Sequence, residues 1–234
     1  MISRPVALLL ALFATAPAAV AWAAPAAIQG PARAPLPETR LGFSLGMDGG
    51  LGGEGTLTLA PLAIGLPFAA RLAVGYRALD PGEPLAARHI FINENENGTP
   101  HKNGRRWDYR LDALWRPHSL PKLWLTCGPR YSSFTGEFDF IGGNEFFAVH
   151  TDQWGLGAGA ESRSPVGRRA QLVLGAGLDW YANATLSGHD TSYSPDGSAV
   201  NAHQEYTYAD ADAAIHQPRW APRLSLGIEY LLGH

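Results

Sequence analysis

His150 and Asp152 stand two residues apart in FFAVHTDQW (146–154), and His189-Asp190 is followed by Ser192 and Ser194. A serine nucleophile, a histidine base and an orienting carboxylate are the parts of acyl-transfer and hydrolytic chemistry. In an extended chain residues i and i+2 share a face, so His150 and Asp152 can cooperate. A second set consists of charges: Arg71, Arg77, Arg110, Arg130 and Arg223 against Asp108, Asp112, Glu161, Asp179 and Glu229. Equal numbers of both signs are what mutual ion pairing requires, so this set reads as structural before it reads as catalytic. The stretches Asn93-Glu-Asn-Glu-Asn97-Gly98 and Glu205–His216 (with Tyr206, Tyr208, Asp210 and Asp212) mix acidic and aromatic side chains able to meet cations or a partner. The spacing from Asp190 to Gly197 does not match a calcium loop. No catalytic residue, metal ligand or cofactor is assigned.

These residues sit in a chain of alternating periodicity. In RWDYRLDALWRP (106–117), Trp107, Tyr109, Leu111, Ala113 and Trp115 alternate with Arg106, Asp108, Arg110, Asp112 and Arg116, and only Leu114 breaks the charged set. Period two means β-strand. The pattern recurs, and strands are expected near 40–48, 54–62, 67–79, 105–116, 121–140, 145–163, 168–187 and 218–231, with no helical periodicity. Tight connections near 63–66, 117–120 and 164–167 each touch a proline, whereas those near 80–104 and 188–217 are long and polar. The short ones near 49–53 and 141–144 fall on the side of the long ones. Gly155-Leu-Gly157-Ala-Gly159 and Gly175-Ala-Gly177 lie mid-strand with no helix following, which argues against a phosphate-binding loop.

The ends and composition set the context. Arg4 precedes the apolar run VALLLALFATA and an Ala21-Trp22-Ala23 site, the pattern of a cleaved signal peptide over 1–23. Residues 24–38 form a Pro/Ala-rich leader, and 39–232 are expected to form one domain. Removing the signal leaves 17 basic against 21 acidic residues, which gives no pull toward nucleic acid. Cys127 is the single cysteine, so no disulfide framework exists.

Signal peptide, strand number, loop asymmetry and aromatic placement together resemble the small eight-stranded outer-membrane β-barrel proteins of Gram-negative bacteria. The resemblance implies an all-β fold, an eight-stranded antiparallel up-and-down transmembrane barrel with short periplasmic turns and longer extracellular loops. It also implies Sec-type export, periplasmic termini, a monomer among outer-membrane lipids, and insertion by the barrel-assembly machinery. Members of that class usually finish on an aromatic residue that the machinery reads; here the end is Tyr230-Leu-Leu-Gly-His, and Tyr230 is the residue available.

Alternation alone fits a soluble barrel with an apolar interior as well as a membrane barrel with an apolar exterior. The charged set decides. It is rich in glycine, including Gly75, Gly128, Gly157 and Gly177. Glycines weaken a solvated strand but make room beside large side chains in a narrow lumen. The aromatics agree: Trp107 and Trp115 lie about 20 Å apart along the normal of a tilted strand, and Trp220 and Tyr230 about 26 Å, near the height of a lipid-facing band. Trp107, Trp115, Tyr131, Trp154, Trp180, Trp220 and Tyr230 are therefore expected as girdles, and the ten charges as a lumen network.

The 121–140 and 145–163 pair is longer than a membrane crossing needs. A two-residue turn with Gly142 and Gly143 at its centre pairs Tyr131 with Trp154 and Cys127 with Ala158. Beyond Tyr131/Trp154 the faces exchange polarity on both strands. Ser133/Asp152 and Thr135/His150 face outward, while Phe134, Phe138, Phe147 and Val149 turn inward, as a small extracellular core would require. In this register Ser133 faces Asp152, not His150, so no complete triad follows. The function expected is that of a non-enzymatic envelope or surface-binding barrel with a plugged lumen and a protruding hairpin (about 132–153). The alternatives are a lipid-modifying hydrolase or acyltransferase, though no signature of the known ones is present, and a conduit for small hydrophobic molecules entering at the Phe cluster.

Overall fold

A computed structural model describes residues 38–62, 67–199, 201 and 203–232. The expected signal peptide, nearly all of the leader and the 63–66 turn lie outside the described residues. Eight strands build the wall: β1 (Glu38–Asp48), β2 (Leu51–Ala60), β3 (Phe68–Leu79), β4 (Thr99–Trp115), β5 (Leu123–Ile141), β6 (Glu145–Pro165), β7 (Ala170–Tyr181) and, last in the chain, β10 (Trp220–Leu232). Each pairs antiparallel with its neighbour in sequence. β7 meets β10, and β10 meets β1, which closes the barrel. The barrel is therefore of the up-and-down kind, with one turn end and one loop end.

Alternation puts the two faces in different surroundings. On β4, Trp107, Tyr109, Leu111 and Trp115 are exposed while Arg106, Asp108, Arg110, Asp112 and Leu114 are buried. Every one of the eight wall strands exposes at least one leucine, from Leu41 on β1 to Leu226 on β10. An apolar surface encircling a protein marks contact with lipid or with another apolar surface. Cys127 lies on that outer face.

Three expectations are corrected. The β5–β6 register is the one read from the sequence, with Tyr131 opposite Trp154, but the connection spans four residues between the last pair, Phe140 and Glu145. Gly143 N donates to Phe140 O at 2.8 Å, and Gly142 and Asn144 take positive φ, so the two glycines sit in the middle of a four-residue loop rather than making a two-residue turn. Two strand ends move as well: β4 starts at Thr99, and β7 ends at Tyr181. Third, helices are present. The long connections hold α1 (Pro84–Phe91), the short pair β8 (Leu186–Gly188) and β9 (Thr191–Tyr193), and α2 (Tyr208–Ala214). Pro84 opens α1, where its missing N–H is not needed. Thr207 and Asp210 form a capping box at α2. Helices of eight and seven residues are too short to show a period above the surrounding polar sequence.

The helices close the loop end. Ala87, Ile90 and Phe91 of α1, Ala211 and Ala214 of α2, Ile215, Leu186 and Tyr193 pack on Phe134, Phe138, Phe140, Phe147 and Val149. The Phe138 and Phe147 rings stack at 5.2 Å. Arg88 reaches across this core, over the Phe140 ring at 4.3 Å, and pairs with Glu145 at 2.5 Å. Hydrogen bonds from Asn93 and Arg88 hold the Glu145 carboxyl below its usual range. The two long loops are joined where Glu83 N donates to Ala214 O at 2.8 Å. Gly82 is needed at that junction: its φ is +122°, and a Cβ there would collide with the Ala214 carbonyl.

Two outcomes follow for this cap. Phe138→Ala should cost about 3–5 kcal/mol of cap packing. Limited proteolysis should then cut faster within residues 80–98 and 182–219 while the wall keeps its folded-barrel mobility on unheated gels. Second, Tyr193 donates its hydroxyl to Ile90 O at 3.0 Å, and burial pushes its pKa up to about 12. A raised pKa contributes stability that is complete below the unfolded value near 10 and lost as pH rises through the folded value. Cap protection against protease should therefore fall between about pH 10 and 12, and Tyr193→Phe should abolish that step.

Candidate functional site

The interior is a ladder of ion pairs in three levels. Nearest the turn end, Arg71 binds Glu161 and Glu229, the latter at 2.7 Å, while Arg163 approaches the same two carboxylates. Thr58 accepts from Arg71 Nε at 3.1 Å, and Gln171 donates to Glu229 at 2.7 Å. At mid-height Arg130 bridges Asp112 and Asp179, each at 2.8 Å, and Arg223 also binds Asp179, at 2.9 Å. Arg110 pairs with Glu54, and Arg77 approaches Glu54 at 3.5 Å. Nearest the loop end, Arg106 binds Asp108 at 2.8 Å and Asp48 at 3.2 Å, and Tyr181 donates to Asp108 at 3.3 Å.

Seven arginines thus meet seven carboxylates, and the lumen is electrically neutral. Glycines make the space. A Cβ on Gly157 would collide with Arg130 and Asp179, and one on Gly177 would lie 2.7 Å from Arg223 Nη2. What room remains is small: the cavity between the lower and middle levels, beside Arg71, Arg110 and Glu161, measures about 20 Å³. That is space for roughly one water.

All ten charges read from the sequence face this lumen. Four further members were missed: Asp48, Glu54, Arg106 and Arg163. Asp48 and Arg106 share the parity of their lumen neighbours Gly42 and Asp108, so continuing the alternation by a step finds them. Glu54 sits in LGGEG, where glycines erase the pattern. Asp108 pairs with Arg106 of its own strand, and Arg110 reaches past β3 to Glu54 on β2, where Gly75, opposite Glu54 in register, has no side chain in the way.

The girdle residues lie on the outer face. Tyr76 and Trp107 contact edge to face at 5.1 Å, Tyr109 and Tyr131 lie 5.9 Å apart, and Tyr131 and Trp154 lie 5.0 Å apart. Trp180 pairs in register with Trp220. These residues run around the loop side of the wall. Phe68, Trp115 and Tyr230 occupy the turn side, Phe68 directly opposite Trp115.

His150, Asp152, Ser187 and Ser194 line one open cleft, but among the described residues no serine hydrogen-bonds a histidine. His150 Nδ1 contacts Thr135 Oγ1 at 3.0 Å, Ser192 donates to Ser187 at 3.0 Å, and His189 pairs with its neighbour Asp190 at 3.0 Å. Ser133 stands opposite Asp152. Phe134, Phe138, Phe147 and Val149 are 0–3 % exposed, filled in by the cap helices rather than open as an apolar mouth. Among the described residues no cluster of three or more metal-binding side chains occurs.

The central pairing sets a measurable expectation. Arg130→Met strands Asp112 without a cation and should destabilise the barrel by about 3–5 kcal/mol in urea unfolding. Asp179 keeps Arg223, so adding Asp112→Asn to that variant should recover most of the loss. An undiminished unfolding midpoint for Arg130→Met would show that the pairs carry no weight.

No family model and no curated protein matches the sequence. Solved structures do. A major outer membrane protein of Thermus thermophilus superposes with a TM-score of 0.68 at 24 % identity, covering 84 % of this chain and 99 % of that one. Acinetobacter baumannii CarO2 and CarO match with TM-scores of 0.41 at 13 % and 15 % identity, over 83 % and 84 % of this chain and 99 % and 98 % of theirs. The Thermus likeness is one of fold, and it agrees with the closed wall and its apolar exterior: the chain is an eight-stranded, antiparallel up-and-down β-barrel that shares the fold of that outer membrane protein.

Proposed function

We propose that this chain is a non-conducting, non-enzymatic barrel of the bacterial outer membrane that binds positively charged material at the cell surface through its loop end. The exposed leucines on all eight strands, bounded by aromatics on both sides, suit a lipid-embedded wall. An even strand number with short turns beside both termini suits periplasmic ends and extracellular loops. In this reading the barrel is a monomer inserted by the assembly machinery, and the Phe cluster is the core of an extracellular cap.

One observation carries the binding role: charge is segregated along the barrel axis. Residues 80–105, 135–153 and 182–219 hold thirteen Asp and Glu against four Lys and Arg, while the lumen between the two ends is neutral. A one-signed surface concentrates the opposite charge over about one Debye length, near 10 Å at moderate salt. A filled lumen offers solutes no path, and no serine among the described residues is hydrogen-bonded to a histidine base.

The test has three arms, two on the purified barrel and one in expressing cells. Planar-bilayer recordings should stay at background, and lipid A mass should be unchanged on expression. A fluorescent oligolysine probe should bind at low salt, release as salt rises, and bind at least several-fold more weakly to a Glu94→Gln, Glu96→Gln, Glu205→Gln variant. Unitary currents, or probe binding indifferent to salt and to those substitutions, would overturn the reading.

A further inference from the structure

The turn end has the opposite charge. Arg40, Arg116, Lys122, Arg168 and Arg169 stand there against Glu38 among the described residues. An open cleft of about 460 Å³ enters the wall at this end, between the starts of β1 and β5 and the ends of β4 and β6. Glu38, Arg40, Arg116, His118, Trp124 and Arg163 give it its chemistry, and Phe68 with three prolines gives it an apolar side.

Three features make it a built site rather than a basic rim. First, Trp124 organises two cations: the guanidinium carbons of Arg163 and Arg116 lie 4.5 and 5.3 Å from its ring centroid. Cation–π contact orients such heads without neutralising them. Second, the Arg163 side chain is only 6 % exposed, and its Nε is buried with no hydrogen-bond partner, although its Nη atoms approach Glu161 and Glu229 at 3.2 and 3.5 Å. An unmet buried donor on a cation favours a further acceptor. Third, Arg40 is committed to Glu38 at 2.7 Å, whereas Arg116 has no carboxylate within ion-pair distance among the described residues. The cleft therefore holds more positive charge than its own acids offset.

We propose that this cleft is a phosphate-binding site that takes a phosphate mono- or diester, or inorganic phosphate, with Arg116 as the principal ligand and His118 and Arg163 beside it. A planar guanidinium bonds two phosphate oxygens at once, which an ammonium does not. The apolar side of the cleft and the Phe68/Trp115 pair at the same level suit a headgroup whose chains enter the membrane. Glu38 works against the anion, both by its charge and by occupying Arg40.

Equilibrium dialysis of the full mature chain in an uncharged detergent, with radiolabelled inorganic phosphate, tests the site. Arg163 also holds Glu161 and Glu229, so its replacement risks misfolding; the informative variants are at exposed positions. Arg116→Gln should weaken phosphate binding about tenfold, and Lys122→Gln, outside the cleft, should change it less than about twofold. Glu38→Gln should tighten it several-fold, a gain that a purely structural cluster would not produce. A second arm uses native mass spectrometry from vesicles of phosphatidylglycerol in phosphatidylcholine. Phosphatidylglycerol retained by the native barrel and lost from Arg116→Gln identifies the ligand as a lipid headgroup. Dialysis binding without lipid retention identifies a free anion. Equal phosphate binding by the Arg116→Gln and Lys122→Gln variants, or no gain with Glu38→Gln, would overturn the proposal.

Discussion

A charge enclosed by an eight-stranded wall has almost no water to solvate it, so it must meet its opposite. The rest of the structure is arranged around that constraint. Each arginine in the lumen touches a carboxylate, and Arg71, Arg130, Glu54, Asp179 and Glu229 each serve two partners. Such bridging is possible only if strands distant in sequence hold a fixed stagger. A slip of one residue on β4 would turn Asp108, Arg110 and Asp112 toward the apolar exterior and Trp107 into the lumen. Burying an ion pair contributes little net stability, but stranding one partner is expensive, so the network acts mainly against wrong registers. Gly157 and Gly177 belong to the same arrangement, since the guanidinium heads of Arg130 and Arg223 occupy the volume their side chains would fill.

The same two strands that help enclose the charges also build the cap, by reversing their pattern. Below Tyr131 and Trp154, β5 and β6 face apolar groups outward and polar groups inward. Above that level Phe134, Phe138 and Phe147 point inward, while Thr135, His150 and Asp152 point out. The backbone keeps its pairing through the change. What changes is the surroundings of each face. Outside, apolar wall gives way to polar surface; inside, ion pairs give way to the apolar sides of α1 and α2. Arg88 marks the contrast: among the described residues it is the one arginine of the apolar cap core, and it needs Glu145, a backbone carbonyl and an aromatic face together.

The sequence makes the wall legible because a strand's two faces are recorded residue by residue. β4 and the β5–β6 register can be read directly, since aromatic and charged residues alternate without gaps and the turn is short. Reading fails where that record is thin. β2 begins in LGGEG, where three glycines carry no side-chain polarity, so Glu54, the carboxylate shared by Arg77 and Arg110, goes unnoticed. The first residues of the long β4 strand, Thr99–Gly104, lie beyond the wall with polar residues on both faces, and they read as loop. α1 and α2 escape for a different reason. Their burial depends on the Phe cluster, which is distant in sequence, and eight residues such as PLAARHIF do not reveal a helix without the surface they cover. Arg163 is a further case: it follows Glu161 by two residues and so shares its face, but it is the last residue of the expected strand before the turn, and Glu161, Glu229 and the Trp124 ring together hold it at the mouth.

Neutrality of the lumen has a consequence for the two ends. Seven arginines and seven carboxylates at close range present no net charge to either mouth, and their fields cancel over a few ångströms. The acidic loop end and the basic turn end therefore act independently, each on whatever lies within a Debye length. A lumen with several unpaired arginines would project positive charge upward and offset the acidic cap. One with surplus carboxylates would weaken the cluster around Arg116. Pairing inside the barrel thus fixes the register of the strands and also keeps the two oppositely charged ends electrically separate.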